Sequence, residues 1–360
     1  MSRLYDGVVD PAIVVRPDAC ILTDVADPWL YPGPMRSARG RGIAVGAFAV
    51  AAAAAIAVGA ITVGGSSEAS VSRTSLSLIV SPHPDDEMQA WSLVEDTPTQ
   101  YKVFVFLTRG EQTSFCAADT PGYDAGTGEH RPSPAPEGKW TASCAEARIA
   151  STNDFIEQMG ATDAGIPSSF SYAGTTAPFP TNGISVTRCD TSCISKRSAE
   201  VYDGGAAGIA LYFDLGDGDL TTDEVRWAVD TVLQNRGSLG IPDLPWEQLI
   251  GASFSNSTHS DCFLYPHPDH RAVNEALWQH DFVGVDDQYG ASCADDPAVT
   301  VTLDVSDTAF ESAFAMSGAT RVGHHPRNSG WLHSSYYAGD FSTSTQNELF
   351  HRHQTFWRRF

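Results

Sequence analysis

The sequence predicts an α/β fold in which a mainly parallel β-sheet is flanked by helices. After residue 75, short apolar runs typical of buried strands alternate with segments that carry helix start and stop signals. This alternation indicates a parallel sheet whose strands are connected by helices. Clusters of His, Asp and Glu follow several predicted strands, and such sheets bind ligands beyond the carboxyl ends of their strands. We therefore expect a Rossmann-like arrangement with the functional site at that edge.

The strands are predicted where apolar residues form short, nearly uninterrupted runs. Strands of a parallel sheet have this pattern because helices cover both faces of the sheet. The predicted strands are residues 75–80, 102–107, 209–213, 249–254 and 299–305.

The helices are predicted from their boundary residues. Thr222 is followed by two acidic residues, which is typical of a helix start, and Gly160 marks a helix end. The Gly- and Pro-rich segment 112–139 is predicted to be a long loop, and long loops in compact domains are usually functional. Residues 161–207 are predicted to form loops and short elements. The predicted helices are residues 87–95, 143–159, 222–235 and 269–279.

The composition excludes several classes of partner. The chain has 360 residues, with 22 Lys and Arg against 44 Asp and Glu, a net charge of −22. Such a surface repels nucleic acid and anionic lipid headgroups but is compatible with neutral sugars. The sequence also lacks a Gly-x-Gly-x-x-Gly fingerprint, which argues against a NAD-type oxidoreductase.

The N-terminal part of the chain carries the signals of an exported protein. Residues 42–65 contain no charge, and Arg36, Arg39 and Arg41 stand just before them. An apolar run of roughly 20 residues can cross a bilayer, and basic residues on its N-terminal side keep that end in the cytoplasm. The run is either a cleaved signal peptide or a membrane anchor, and both place the rest of the chain outside the cytoplasm.

These features divide the chain into four parts. Residues 1–41 form a tail. Its first 34 residues lie upstream of the true start if translation begins at Met35, and otherwise belong to a short cytoplasmic tail. Residues 42–65 are the signal or anchor, residues 66–74 a linker, and residues 75–360 the functional domain. Contact with a membrane is expected only through 42–65, and only if that segment is not cleaved.

The number and positions of the cysteines are consistent with export. Six of the seven follow the apolar segment, and an even number in an exported domain indicates disulfides. Proximity in the sequence favours the pairs Cys189–Cys193 and Cys262–Cys293, which leaves Cys116–Cys144 across one loop.

A turn rich in His and Asp follows the first predicted strand. It reads Ser-Pro-His-Pro-Asp-Asp-Glu over residues 81–87. Adjacent carboxylates repel each other unless a cation or a shared proton compensates. His83 and Asp86, three residues apart, can both turn toward one divalent ion, which leaves Asp85 beside it to act on water. A related stretch, Tyr-Pro-His-Pro-Asp-His, lies far downstream at residues 265–270.

The two stretches, with Phe-Leu-Thr-Arg-Gly-Glu at residues 106–111, resemble the PIG-L/LmbE-like family of zinc-dependent N-acetylglucosaminyl deacetylases. The resemblance covers roughly residues 75–271. It implies one Zn²⁺ per chain, held by His83, Asp86 and His270, with water at the open position. A capped loop is the structural alternative for a single His-Pro-Asp turn.

The resemblance also implies the roles of other residues. Asp85 is the general base, and His267 stabilises the oxyanion or protonates the leaving amine. Tyr265 assists the transition state, and Asp269 partners a nearby imidazole or caps the helix. Two further matches imply contacts with the substrate, at Arg148 and Asp217.

The expected activity is removal of an N-acetyl or N-acyl group from an amino sugar or glycoconjugate. Two alternatives stay open: an amide hydrolase acting on another acylated metabolite, and a non-catalytic exported glycan-binding protein on the same fold. The second would be expected to lose Asp85, His267 or a ligand, and all of them are present.

Overall fold

The fold is built on a nine-stranded mixed β-sheet with helices on both faces. We describe it from a computed structural model. The residues that the structure describes are 72–113, 116, 134–184, 197–253, 267–292, 298–315, 338–339 and 350–360.

Eleven strands are present among the described residues, nine of them in the large sheet. They are β1 (Ser75–Ser81), β2 (Gln100–Phe106), β3 (Ser171–Thr175), β4 (Glu200–Asp203), β5 (Gly208–Tyr212), β6 (Trp246–Gly251), β7 (Val285–Ser292), β8 (Val299–Asp304), β9 (Ala338–Gly339), β10 (Phe350–His351) and β11 (His353–Arg359). The helices are α1 (Trp91–Glu95), α2 (Ala142–Gly160), α3 (Thr222–Asn235), α4 (Pro268–Gln279) and α5 (Asp307–Ala315), with 3₁₀ turns at Asp86–Ala90 and Arg236–Leu239.

The centre of the large sheet is parallel and its edges are antiparallel. The strand order is β3-β4-β5-β2-β1-β6-β7-β11-β8, and the four ladders from β5 to β7 are parallel. The ladders that β3, β4, β8 and β11 form are antiparallel. The α/β class is therefore confirmed, whereas the sheet as a whole is mixed rather than mainly parallel.

The central strands are apolar because both faces of the sheet are covered. Every residue of β1 and β2 is buried. Leu78 of β1 packs in the core on the face of α3 and α4, with Trp227 and Val273. Its neighbour Ile79 points to the opposite face, where Phe155 of α2 and Phe310 of α5 complete a second core.

Several elements were not predicted from the sequence. Strands β3, β4, β7 and β11 and helix α5 have no counterpart among the predicted elements. Strand β11, with the sequence His-Gln-Thr-Phe-Trp-Arg-Arg, has no long apolar run and is stabilised by pairing with β7 and β8. The predicted helix 87–95 also differs, because it begins as a 3₁₀ turn before α1.

All described elements belong to one unit, Ser66–Phe360. Among the described residues, no helix combines the length and the apolar character needed to cross a bilayer. The proposed signal or anchor, residues 42–65, lies outside the described residues.

Candidate metal centre

The turn after β1 is closed by Asp86. One oxygen of this carboxylate, Oδ2, accepts a hydrogen bond from the backbone N–H of His83 and lies 3.0 Å from Nδ1 of the same residue. Proline on both sides of His83 restricts the turn. The spacing of three residues therefore places the His and Asp side chains together, as predicted from the sequence.

The second half of the centre comes from α4. Pro268 occupies the first turn of this helix, where its missing N–H has no cost, and His270 follows in the same turn. The Nε2 atom of His270 lies 3.2 Å from Oδ1 of Asp86. Asp86 thus faces one imidazole with each oxygen, and Gln89 also donates to Oδ1 at 2.7 Å.

His83, Asp86 and His270 form a group that could hold a metal ion. Their ligand atoms all lie within 4.8 Å of one another, and all three side chains are buried. Two imidazole nitrogens with one carboxylate oxygen are a donor set suited to zinc and to neighbouring divalent metals. The residues present therefore fit the ion that the motifs imply.

The electrostatics of the group favour a cation. Burial opposes ionisation of Asp86, yet His270 and His83 hold the pKa of this carboxyl well below its usual range. Burial lowers the pKa of His83, but Asp217, Asp269 and Asp86 outweigh it and raise that pKa well above its ordinary value. A metal ion at this group would therefore compete with protons for the same ligand atoms.

A second set of buried side chains surrounds the other nitrogen of His83. Its Nε2 atom lies 3.1 Å from Asp269 Oδ2 and 3.2 Å from Asp217 Oδ1. Together with His267, these residues form another group whose ligand atoms lie within 4.8 Å. Burial raises the pKa of Asp217, but the hydrogen bond and charge of His83 bring it down to about 2.

His267 lies at the start of α4 and faces the same pocket. Its ring centroid is 4.6 Å from that of His83, and its Nδ1 accepts a hydrogen bond from the backbone N–H of Asp269 at 3.4 Å. Burial, followed by the charges of His83 and His270, lowers the pKa of His267 to about 4. His267 is therefore neutral near pH 7, with the proton on Nε2.

Asp85 is held in an unusual conformation beside the ligand group. Its φ of 124° is rare for a residue with a side chain, and such strain concentrates at functional sites. Its N–H donates to Oε2 of Glu87 at 3.0 Å, and its Oδ1 lies 2.8 Å from Arg148 Nη2.

Arg148 contacts the turn that contains Asp85. It is buried on α2 and donates to the carbonyls of Gly110, at 2.8 Å, and Pro84. Glycine suits position 110, because its φ is +64°, which other residues rarely adopt, and a Cβ would lie 2.6 Å from Cζ of Arg148. We expected Arg148 to contact the substrate, whereas in this structure its guanidinium contacts protein groups.

Glu111, an acidic residue near the site, had no role in the sequence analysis. Burial, with the charges of Asp214 and Asp217, raises the pKa of Glu111 to about 7. Glu111 belongs to the Thr-Arg-Gly-Glu stretch after β2, so the motif was a signal that could have identified it. Asp217 itself lies in the loop after β5, and its Oδ2 accepts from the backbone N–H of Gln112 at 2.6 Å.

The long loop after β2 is tied to α2 by a disulfide. Cys116 pairs with Cys144 of the first helical turn, the pair that remained after the two proximal pairs were assigned. Tyr265 and the other five cysteines lie outside the described residues, as do the proposed pairs Cys189–Cys193 and Cys262–Cys293.

The sequence matches no model of a known protein family, and a search of curated proteins finds no significant match. The resemblance stated above therefore depends on the motifs and on the chemistry of the residues that they contribute.

Proposed function

We propose that this chain is a zinc-dependent hydrolase that removes an N-acetyl or N-acyl group from an amino sugar or glycoconjugate. The observation that carries the proposal is the meeting of His83, Asp86 and His270 in one buried group. These residues belong to two distant motifs, and both motifs match the pattern of the deacetylase family in order and residue type.

The strand order supports the position of this site. Taken in chain order, the five strands of the parallel centre are β1, β2, β5, β6 and β7, and they lie in the order 3-2-1-4-5. We propose that this centre is Rossmann-like, since such sheets bind ligands where the strand order reverses. That point lies between β1 and β6. His83 follows β1, and the segment after β6 leads to His270.

The residues around the ligand group match the needs of amide hydrolysis. When bound, a divalent ion supplies Lewis acidity for an amide carbonyl and for the attacking water. Asp85 takes the proton from that water, and its pairing with Arg148 orients the carboxylate. His267, neutral and protonated on Nε2, donates a hydrogen bond to the oxyanion.

We further propose that the reaction takes place outside the cytoplasm. The uncharged segment 42–65 behind Arg36, Arg39 and Arg41 supports export, and the Cys116–Cys144 disulfide agrees with an oxidising compartment. Whether the chain is secreted or membrane-anchored depends on cleavage of that segment.

Metal analysis and product release together test the function. The purified chain is expected to contain one divalent ion and to release acetate from at least one member of a panel of N-acetylated amino sugars. His270→Ala should abolish both, whereas His353→Ala, a histidine of β11 that pairs with Asp304, should change neither.

Absence of stoichiometric metal, with activity insensitive to chelators, would overturn the proposal. Release of acyl groups only from non-sugar amides would favour the alternative hydrolase. Binding of glycans by metal-loaded protein without any release would favour the non-catalytic alternative.

A further inference from the structure

The imidazole of His83 is contacted by different carboxylates on its two nitrogens. Nδ1 lies 3.0 Å from Asp86, on the side of His270. Nε2 lies 3.1 Å from Asp269 and 3.2 Å from Asp217. A neutral imidazole carries one N–H, and the partner of that N–H decides which nitrogen is available to a metal ion.

Asp269 is held by the backbone on both of its oxygens. Oδ2 accepts from the N–H of Gly218 at 2.8 Å and Oδ1 from the N–H of Leu220 at 2.9 Å. The side chain is completely buried. Its position is therefore set by the loop after β5, whose two N–H donors occupy about half of the roughly four acceptor sites of the carboxylate.

Asp217 is held in a similar way. Its Oδ2 accepts from the backbone N–H of Gln112, and only Oδ1 faces His83. The next residue is Gly218, with φ +89°, where a Cβ would lie 2.8 Å from Oε1 of Gln112. The Asp-Gly sequence thus lets the loop direct the Asp217 carboxylate toward His83 and the Gly218 N–H toward Asp269.

We propose that Asp217 and Asp269 are positioning residues that keep the proton of His83 on Nε2 and thereby present its Nδ1 to the metal ion. Asp269 accepts the Nε2–H, and the buried carboxylate of Asp217, 3.2 Å from Nε2, favours the proton at the same nitrogen by its charge. This inference rests on the metal site of the proposed function. It assigns Asp217 to the support of a ligand rather than to the sugar, and it makes the second buried group a support for one ion rather than a second ion site. Outer carboxylates of this kind fix the tautomer and the ring orientation of a ligating histidine.

The inference is tested first by metal affinity in the absence of any substrate. Zn²⁺ is titrated into the apo form of the full chain in competition with a chromophoric chelator. Asp217→Ala is expected to weaken binding by about 10- to 100-fold. Asp217→Asn, which keeps one acceptor oxygen, should give an intermediate loss. Asp214→Ala is the matched control, because Asp214 lies on the same loop near Arg109, and it should bind Zn²⁺ within about twofold of the wild type.

A spectroscopic measurement separates positioning from a merely structural role. In Zn²⁺-loaded protein labelled with ¹⁵N-histidine, the signals of His83 are assigned by their loss in His83→Gln. We expect Nε2 to be protonated and Nδ1 to be metal-bound in the wild type. The Nε2 proton should exchange faster with water in Asp217→Asn. If Asp217→Ala does not fold, the wild-type spectrum still decides the tautomer.

Three outcomes would overturn the inference while the proposed function survives. They are metal bound through Nε2 of His83, a second Zn²⁺ that Asp217→Ala removes, and equal affinity of Asp217→Ala and the wild type. A wild-type chain that binds no Zn²⁺ overturns the proposed function as well. A chain that binds one Zn²⁺ through Nδ1 but releases no acyl group contradicts the function alone.

Discussion

The guanidinium of Arg148 lies 2.8 Å from the carboxylate of Asp85. Asp85 has a φ of 124°, and the contacts of Arg148 with Asp85 and with the carbonyl of Pro84 span this strained turn. The pair joins α2 to the loop after β1, so that the long helix supports the residue proposed as the general base.

Asp85→Asn is expected to retain the metal and to lose most of the activity. The amide preserves the size of the side chain but cannot accept a proton, and loss of a general base typically costs about 10²- to 10⁴-fold in rate. Asp86→Asn should instead weaken metal binding, because an amide is a poorer ligand than a carboxylate. The measurements are the metal content and kcat of both variants. Retained metal in Asp86→Asn with metal lost in Asp85→Asn would reverse the two roles.

Gly110→Ala should disturb the site through Arg148. A Cβ at this position would lie 2.6 Å from Cζ of Arg148, in addition to the strain of φ +64°. Gly205 is a matched control, because its φ is +67° and a Cβ there meets nothing within 4 Å. We expect Gly205→Ala to lower the free energy of unfolding by about 1 kcal/mol.

Gly110→Ala is expected to lower this free energy further and to reduce kcat, whereas Gly205→Ala leaves kcat unchanged. Chemical denaturation and initial-rate kinetics on both variants provide the comparison. Equal effects of the two substitutions would show that the contact with Arg148 is unimportant.

The cysteines are expected to be oxidised in the exported protein. Thiol titration of denatured, unreduced protein should find none of the six cysteines after residue 65 free. The double variant Cys116→Ser with Cys144→Ser opens a loop with a sequence separation of 28 residues. It should lower the free energy of unfolding by about 3 kcal/mol. Most of the six thiols found free would count against both the disulfides and export.

Lys102 gives the fold a dependence on pH that is independent of the metal centre. This residue of β2 is buried, and its Nζ donates to the carbonyl of Thr97 at 2.8 Å. Burial lowers its pKa to about 7, far below that of a lysine in an unfolded chain. Between these two pKa values the unfolded state binds the extra proton, so the contribution of Lys102 to stability rises with pH and is lost as pH falls toward 7.

Lys102→Met is therefore expected to stabilise the protein most at pH 6 to 7, and the gain should shrink toward pH 10 by at most about 1.4 kcal/mol per pH unit. Urea denaturation of wild type and variant across this range measures the difference. Lys139→Met, at an exposed lysine, is the control for loss of a lysine charge. A pH-independent gain for Lys102→Met would mean that Lys102 is not desolvated.

Local sequence patterns were sufficient to predict the strands and the helix start described next, and the contact between His83 and Asp86. The apolar runs of β1, β2 and β5 predicted buried strands because these strands are covered on both faces. Thr221 and Glu224 form a capping box at the start of α3, a local interaction that sets the helix boundary near Thr222. The spacing of His83 and Asp86 predicted their contact because a turn of three residues brings such side chains together.

Only the tertiary structure decided which residues meet around that turn. The contacts of Asp217 and Asp269 with His83 join the loop after β5 and helix α4 to the turn after β1, and no local pattern specifies them. The position of Arg148 beneath Asp85 follows from the packing of α2 on the sheet, which the motif match did not anticipate. Strand β11 exists because β7 and β8 supply its hydrogen-bond partners. The sequence by itself determined the residue types and the local turn of the site, whereas long-range pairing and packing determined the partners of each side chain.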